Sequence, residues 1–161
     1  MMKSMFEYNW QVRNDWFSWC EDVPKEELRK ERIGGVGGIL KTLYHIIDVE
    51  YSWICDMKGQ IPKKQEFHAP FESWATLEKM KDLSNLYHEE VKAFVLAWNP
   101  KMEQEYITEE NADGEIEIFK FGEIMRHVIA HEIHHIGQLS IWSRELGRKP
   151  VTANLIRRGL F

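Results

Sequence analysis

Residues 121–146 place Ile124, Val128, Leu139 and Trp142 on one arc of a helix, and no other stretch constrains the fold as much. Ile136 extends the arc, Gly147 ends the helix, and Pro150 lies just beyond. A stripe of that length must be buried against other helices. The remaining chain supplies them. Phe6, Trp10, Trp16, Phe17 and Cys20 recur at helical spacings over residues 3–21. Val23-Pro24 breaks that pattern, and Pro24 suits the first turn of a short charged helix over 25–31. Residues 38–58 carry Ile39, Leu40, Leu43, Ile47 and Ile54 and stop at Gly59. Residues 60–70, with two prolines, read as a loop. Ser73 is the expected cap of a third long helix, which reaches Trp98 and is stopped by Asn99-Pro100. Residues 106–119 differ, because polar and apolar residues alternate after Asp113-Gly114, as in a short β-hairpin or extended crossover. The expected fold is all-α: a four-helix bundle, one domain over 1–161, with a long crossover or short hairpin before the last helix.

Composition narrows the function classes. A chain of 161 residues with 43% hydrophobic and 29% charged residues fits one globular domain. The net charge of -5 and the lack of a basic stripe argue against nucleic-acid binding. No stretch approaches the roughly 20 apolar residues of a membrane span, and the first residues lack the apolar run of a signal peptide. Cys20 and Cys55 read as small buried hydrophobes in separate helices rather than a disulfide framework. A cytoplasmic, reduced protein is expected. Gly34, Gly35, Gly37 and Gly38 are not spaced as a phosphate loop, since Lys41-Thr42 falls too far beyond them. They suit a loose start to a helix, or a place where another helix approaches closely.

Four of the seven histidines crowd the last helix: His127, His131, His134 and His135. Residues four apart share a helical face, so His131 and His135 are spaced to grip one metal ion. His127 and His131 have the same spacing. Advancing about 100° per residue turns His135 toward the core and His131 to the edge of the same arc. His127 and His134 fall further round, toward solvent, and spacing alone leaves their contribution open. A third ligand is needed to hold a metal while keeping a position open. His45 in the second long helix is available, although that helix's apolar residues cluster away from it. Gly38, Val49 and Ser52 share its sector and are small enough to leave a cavity.

His131-Glu132-x-x-His135 also matches the H-E-x-x-H signature of zinc peptidases, in which the glutamate activates water. The extended form fails here: Gly137 is misplaced, no histidine follows His135, and Glu145 lies too far along the helix to share the metal.

Two segments resemble the DinB/YfiT-like superfamily of metal-binding four-helix bundles. They are residues 43–54, around His45, Glu50 and Trp53, and residues 127–139, which include His131, His135, Gly137 and Gln138. The resemblance implies a metal held by His45, His131 and His135, with Gln138 touching the site from one turn beyond and Glu132 a candidate base beside it. Zinc is the first expectation; nickel, manganese and iron also suit imidazole ligands. It further implies a homodimer. The activities it suggests are transfer of a low-molecular-weight thiol such as bacillithiol or mycothiol to an electrophile, and metal-assisted hydrolysis of a small molecule. A non-catalytic metal-binding stress-response protein is the opposing reading. Tyr44, Trp53, Trp74 and Trp142 are candidates to line a ligand pocket, with plain core packing as the alternative.

Overall fold

A computed structural model describes residues 1–63 and 70–161. The expected loop over 60–70 falls partly outside the described residues, and His68 lies wholly outside them. The described residues are mostly helical, with one small sheet. Four long helices dominate: α1 (Met2–Cys20), α3 (Ile39–Met57), α5 (Leu77–Ala97) and α6 (Phe121–Glu145). Two short ones, α2 (Lys25–Arg29) and α4 (Phe71–Trp74), lie in the connections. Each long helix packs on two others, in the ring α1, α5, α3, α6 and back to α1.

The inward stripes follow helical spacing. Phe6, Trp10, Phe17 and Cys20 are buried from α1, and Leu43, Ile47 and Ile54 from α3. Met80, Leu83, Tyr87, Val91 and Val95 are buried from α5, and Ile124, Val128, Leu139 and Trp142 from α6. Both cysteines are free and buried. Burial pushes the Cys20 thiol up to about 12, so it stays protonated and inert. Among the described residues no helix is long and apolar enough to cross a membrane.

The third long helix starts later than Ser73. Pro70 opens the single turn of α4, where the Ser73 hydroxyl donates back to the Pro70 carbonyl at 2.7 Å. Ala75 is then extended and fully buried. Thr76 caps α5 instead, its side chain accepting from the Lys79 N–H at 3.1 Å. The break lets Phe71 and Trp74 pack on Tyr44, with ring centroids 5.8 and 5.6 Å away. The short helix before the glycines also ends earlier than expected, at Arg29.

The crossover is a hairpin of β1 (Tyr106–Glu110) and β2 (Ile116–Lys120), paired antiparallel with Ile107 opposite Phe119. Asn111 Oδ1 accepts from the N–H groups of Asp113 and Glu115, each at 3.0 Å, and Gly114 takes the positive φ of +79° that closes the turn. The alternating Ile116 and Ile118 point outward, because Ile107 and Phe119 form the face that leans on the core. β2 runs directly into α6. The Phe121 N–H donates to the Glu105 carbonyl at 2.8 Å, and Glu123 accepts from the Lys120 N–H at 3.1 Å.

The tail packs back on the body through Val151, Leu155 and Leu160. The Tyr8 hydroxyl ties it down by donating to the Ala153 carbonyl at 2.7 Å, while Phe161 stays exposed.

Candidate metal centre

α3 and α6 pack side by side, and the contact brings His45 against the face of α6 that carries His131 and His135. Their Nε2 atoms converge. His131 Nε2 lies 3.0 Å from His45 Nε2 and 3.1 Å from His135 Nε2. Nitrogens bound to one tetrahedral zinc at 2.0–2.1 Å would stand about 3.3 Å apart, close to this spacing. Among the described residues, these three form the one group of His, Cys, Asp or Glu side chains close enough together that they could hold a metal ion.

The electrostatics favour neutral rings at His131 and His45. Burial, followed by the neighbouring imidazoles, brings His131 down to about 4. Burial and His135 also lower His45, against a smaller upward pull from Asp48. Neutral imidazoles are the form that ligates metal. They also leave a packing problem. A single ring nitrogen carries at most one proton, yet His131 Nε2 faces two other Nε2 atoms. It therefore cannot make a well-aligned hydrogen bond to each of them, whereas a cation among the three nitrogens would engage a lone pair from every ring.

Gln138 orients the buried member. Its Oε1 accepts from His135 Nδ1–H at 2.7 Å, which leaves the Nε2 lone pair free for the site. Its Nε2 donates to His134 Nε2 at 3.1 Å. His134 and His127 are both exposed. His127 packs beside Trp53 and His131, with ring centroids 6.0 and 5.7 Å away, and is not in the converging group. His88 stands edge-on to Trp10 on another face. Trp142 is core, and its indole N–H donates to the Ile33 carbonyl at 3.3 Å.

Glu132 faces α1 rather than the histidines. Arg13 holds both its oxygens, with Nε to Oε1 at 2.8 Å and Nη2 to Oε2 at 2.6 Å. Arg13 Nη1 also donates to Glu50 Oε1 at 2.9 Å, and the Trp10 indole N–H donates to Glu50 Oε2 at 2.9 Å. Burial pushes the Glu132 carboxyl upward against the pull of Arg13. Burial alone would lower the Arg13 guanidinium, but Glu132 and Glu50 hold it protonated well above its usual range. This cluster ties both histidine-bearing helices to α1. Glu132 is therefore not free to play the base role that the H-E-x-x-H spacing suggests.

A family model described as the DinB family matches residues 1–158. The chain belongs to the DinB family. The uncharacterized protein YizA of Bacillus subtilis (strain 168) is similar to it, with 46% identity over 159 residues, spanning 99% of this chain and 96% of that protein. The histidines that the DinB resemblance singled out, His45, His131 and His135, are the ones the fold gathers. Two features of this DinB chain went unread in the sequence. One is the Arg13 cluster, signalled by charged residues inside apolar stripes: Arg13 with Trp10 and Phe17, Glu50 with Leu43 and Ile54, and Glu132 with Ile129 and Ile136. The other is which helix approaches the glycine loop: the Gln138 side chain of α6 lies against Gly35, where a Cβ would be 2.2 Å from Gln138 Oε1.

Proposed function

We propose that His45, His131 and His135 hold one divalent transition metal, zinc first, and that the protein is a metal-dependent enzyme acting on a small molecule by thiol transfer or hydrolysis. The observation that carries this is the meeting of the three imidazoles, with His131 Nε2 at zinc-like separations from the Nε2 atoms of His45 and His135. Bound there, the metal supplies Lewis acidity and lowers the pKa of a thiol or water at its remaining position. The chain's own contribution is orientation. Gln138 fixes the His135 ring, and the Arg13 cluster holds α3 and α6 in register.

Two observations favour an enzyme over a closed, non-catalytic metal protein. No fourth His, Cys, Asp or Glu joins the group among the described residues, and His45 and His131 are only half-buried. An H-E-x-x-H peptidase is disfavoured, because Glu132 is spent on Arg13. The four-helix bundle and the cytoplasmic location belong to this same reading. So does the homodimer, for which an apolar groove lined by Met1, Met2, Met5, Trp98, Ile129 and Ile133 offers a surface.

The test is elemental analysis of untagged protein beside the His131→Ala/His135→Ala double variant. About one transition metal per chain, lost in the variant, is expected. Zinc-loaded protein should then accelerate conjugation of bacillithiol or cysteine to chlorodinitrobenzene, or hydrolysis of a small ester. A wild-type chain that stays metal-free after zinc or nickel reloading would overturn the reading.

A further inference from the structure

We infer that Gly35 is a positioning residue for the histidine site: its bare backbone admits the Gln138 amide, and that amide sets the tautomer of His135. The inference rests on the metal-site reading and adds a loop that the site was not known to need.

The geometry is close. A Cβ placed on Gly35 would lie 2.2 Å from Gln138 Oε1, 2.6 Å from its Cδ and 3.0 Å from its Nε2. The whole amide therefore sits where a side chain would be. Glutamine can swing aside at little cost to the fold, but its amide is engaged at both ends. Oε1 accepts from His135 Nδ1 and Nε2 donates to His134. Any displacement sacrifices the first bond, the second, or both.

The loop cannot retreat either. Its backbone is closed by Arg32 N–H to the Gly37 carbonyl at 2.8 Å and Gly37 N–H to the Gly34 carbonyl at 3.1 Å. Trp142 on α6 donates to Ile33 at 3.3 Å, and the Arg32 guanidinium pairs with Glu27 at 2.6 Å and Glu145 at 3.5 Å. The Trp142 and Glu145 contacts tie the loop to α6 in the turns just beyond Gln138, and the Glu27 pair ties it to α2. Without an acceptor at Nδ1, His135 is free to place its proton on Nε2 and to turn its ring, and either change removes the lone pair the site uses. Loss of such an orienting partner typically weakens metal binding about 10–100-fold.

The experiment compares zinc affinity, by chelator competition, among the full-length wild type and the Gly35→Ala, Gly34→Ala, Gln138→Ala and Gly35→Ala/Gln138→Ala variants. Circular dichroism confirms that each is folded. Gly34 is the control, because it has a φ of +96° and nothing within 4 Å of an added Cβ. It shares the backbone strain of Gly35 (φ +52°) without the contact. Gly35→Ala should weaken zinc binding about 10–100-fold and Gly34→Ala should leave it near wild type. The double variant should be no weaker than Gln138→Ala alone. Nitrogen-15 NMR of the metal-free protein should show His135 as the Nδ1–H tautomer in the wild type and not in Gly35→Ala. Equal affinities for Gly35→Ala and Gly34→Ala, additive losses in the double variant, or an unchanged tautomer would overturn the inference. A wild type that binds no zinc sinks the metal reading instead, and the metal-free tautomer comparison still decides whether Gly35 acts on His135.

Discussion

Replacing Arg13 with methionine should be the most damaging single change in the core that leaves the histidines intact. The Arg13, Glu50 and Glu132 side chains are 4, 5 and 2% exposed, so neither carboxylate can turn to water when the guanidinium is removed. Three charge-assisted bonds disappear together, at 2.6, 2.8 and 2.9 Å. Stranding buried charge in this way costs about 3–5 kcal/mol. For a domain of this size that lowers Tm by roughly 6–20 °C. Differential scanning calorimetry of metal-free protein at pH 8 reads it directly. The deficit should narrow at pH 5, because the Glu132 carboxyl, which burial already pushes upward, takes up a proton more readily once Arg13 is gone. The triple replacement Arg13→Met/Glu50→Leu/Glu132→Leu should recover most of the loss, since an apolar set of similar volume has no charge to strand. A fall of less than about 3 °C for Arg13→Met, or a triple variant no more stable than the single one, would refute this account.

Two further outcomes follow from the caps and the titrations. Thr76→Ala removes the acceptor of the Lys79 N–H and should cost about 1 kcal/mol, read as a shift in urea midpoint, whereas Ser73→Ala should cost far less. For the metal-free protein, His131 titrates near 4 and His45 below its ordinary 6.5, so between those values the unfolded chain binds protons that the folded one refuses. Stability should therefore be complete above pH 6.5 and decline toward pH 4, and a His45→Asn/His131→Asn variant should flatten that slope in melts across the range. Parallel slopes for variant and wild type would contradict it.

The long helices were legible because their stripes repeat over several turns, and the last helix showed both its core face and its histidines. The pair His131 and His135 could be read from spacing, since one helix fixes their geometry. His45 could not. It lies off the apolar arc of α3, and only the packing of α3 on α6 turns its sector toward the site. The resemblance to the family identified it where periodicity stopped. Ser73 misled because it offers a capping hydroxyl before an apolar run, while the decisive residue was Ala75, whose burial in an extended conformation breaks the helix. Ile116 and Ile118 misled because alternation reveals that a strand has two faces but not which one the body covers. Glu132 was read through a motif, although its place in the stripe with Ile129 and Ile136 marked a buried charge in need of a cation.

The segment from His131 to His135 is held from two directions, with its imidazoles facing α3 and its carboxylate locked to α1. A cylinder gripped on two sides has no freedom to spin. Glu132 stands about 100° round α6 from His131, so turning the helix to bring the carboxylate to the pocket would carry His131 and His135 out of it. That rotation would also break both Arg13 bonds to Glu132. The H-E-x-x-H spelling thus fixes the spacing of these side chains but not what the carboxylate does, and in this chain an arginine on a different helix holds it away from the imidazoles.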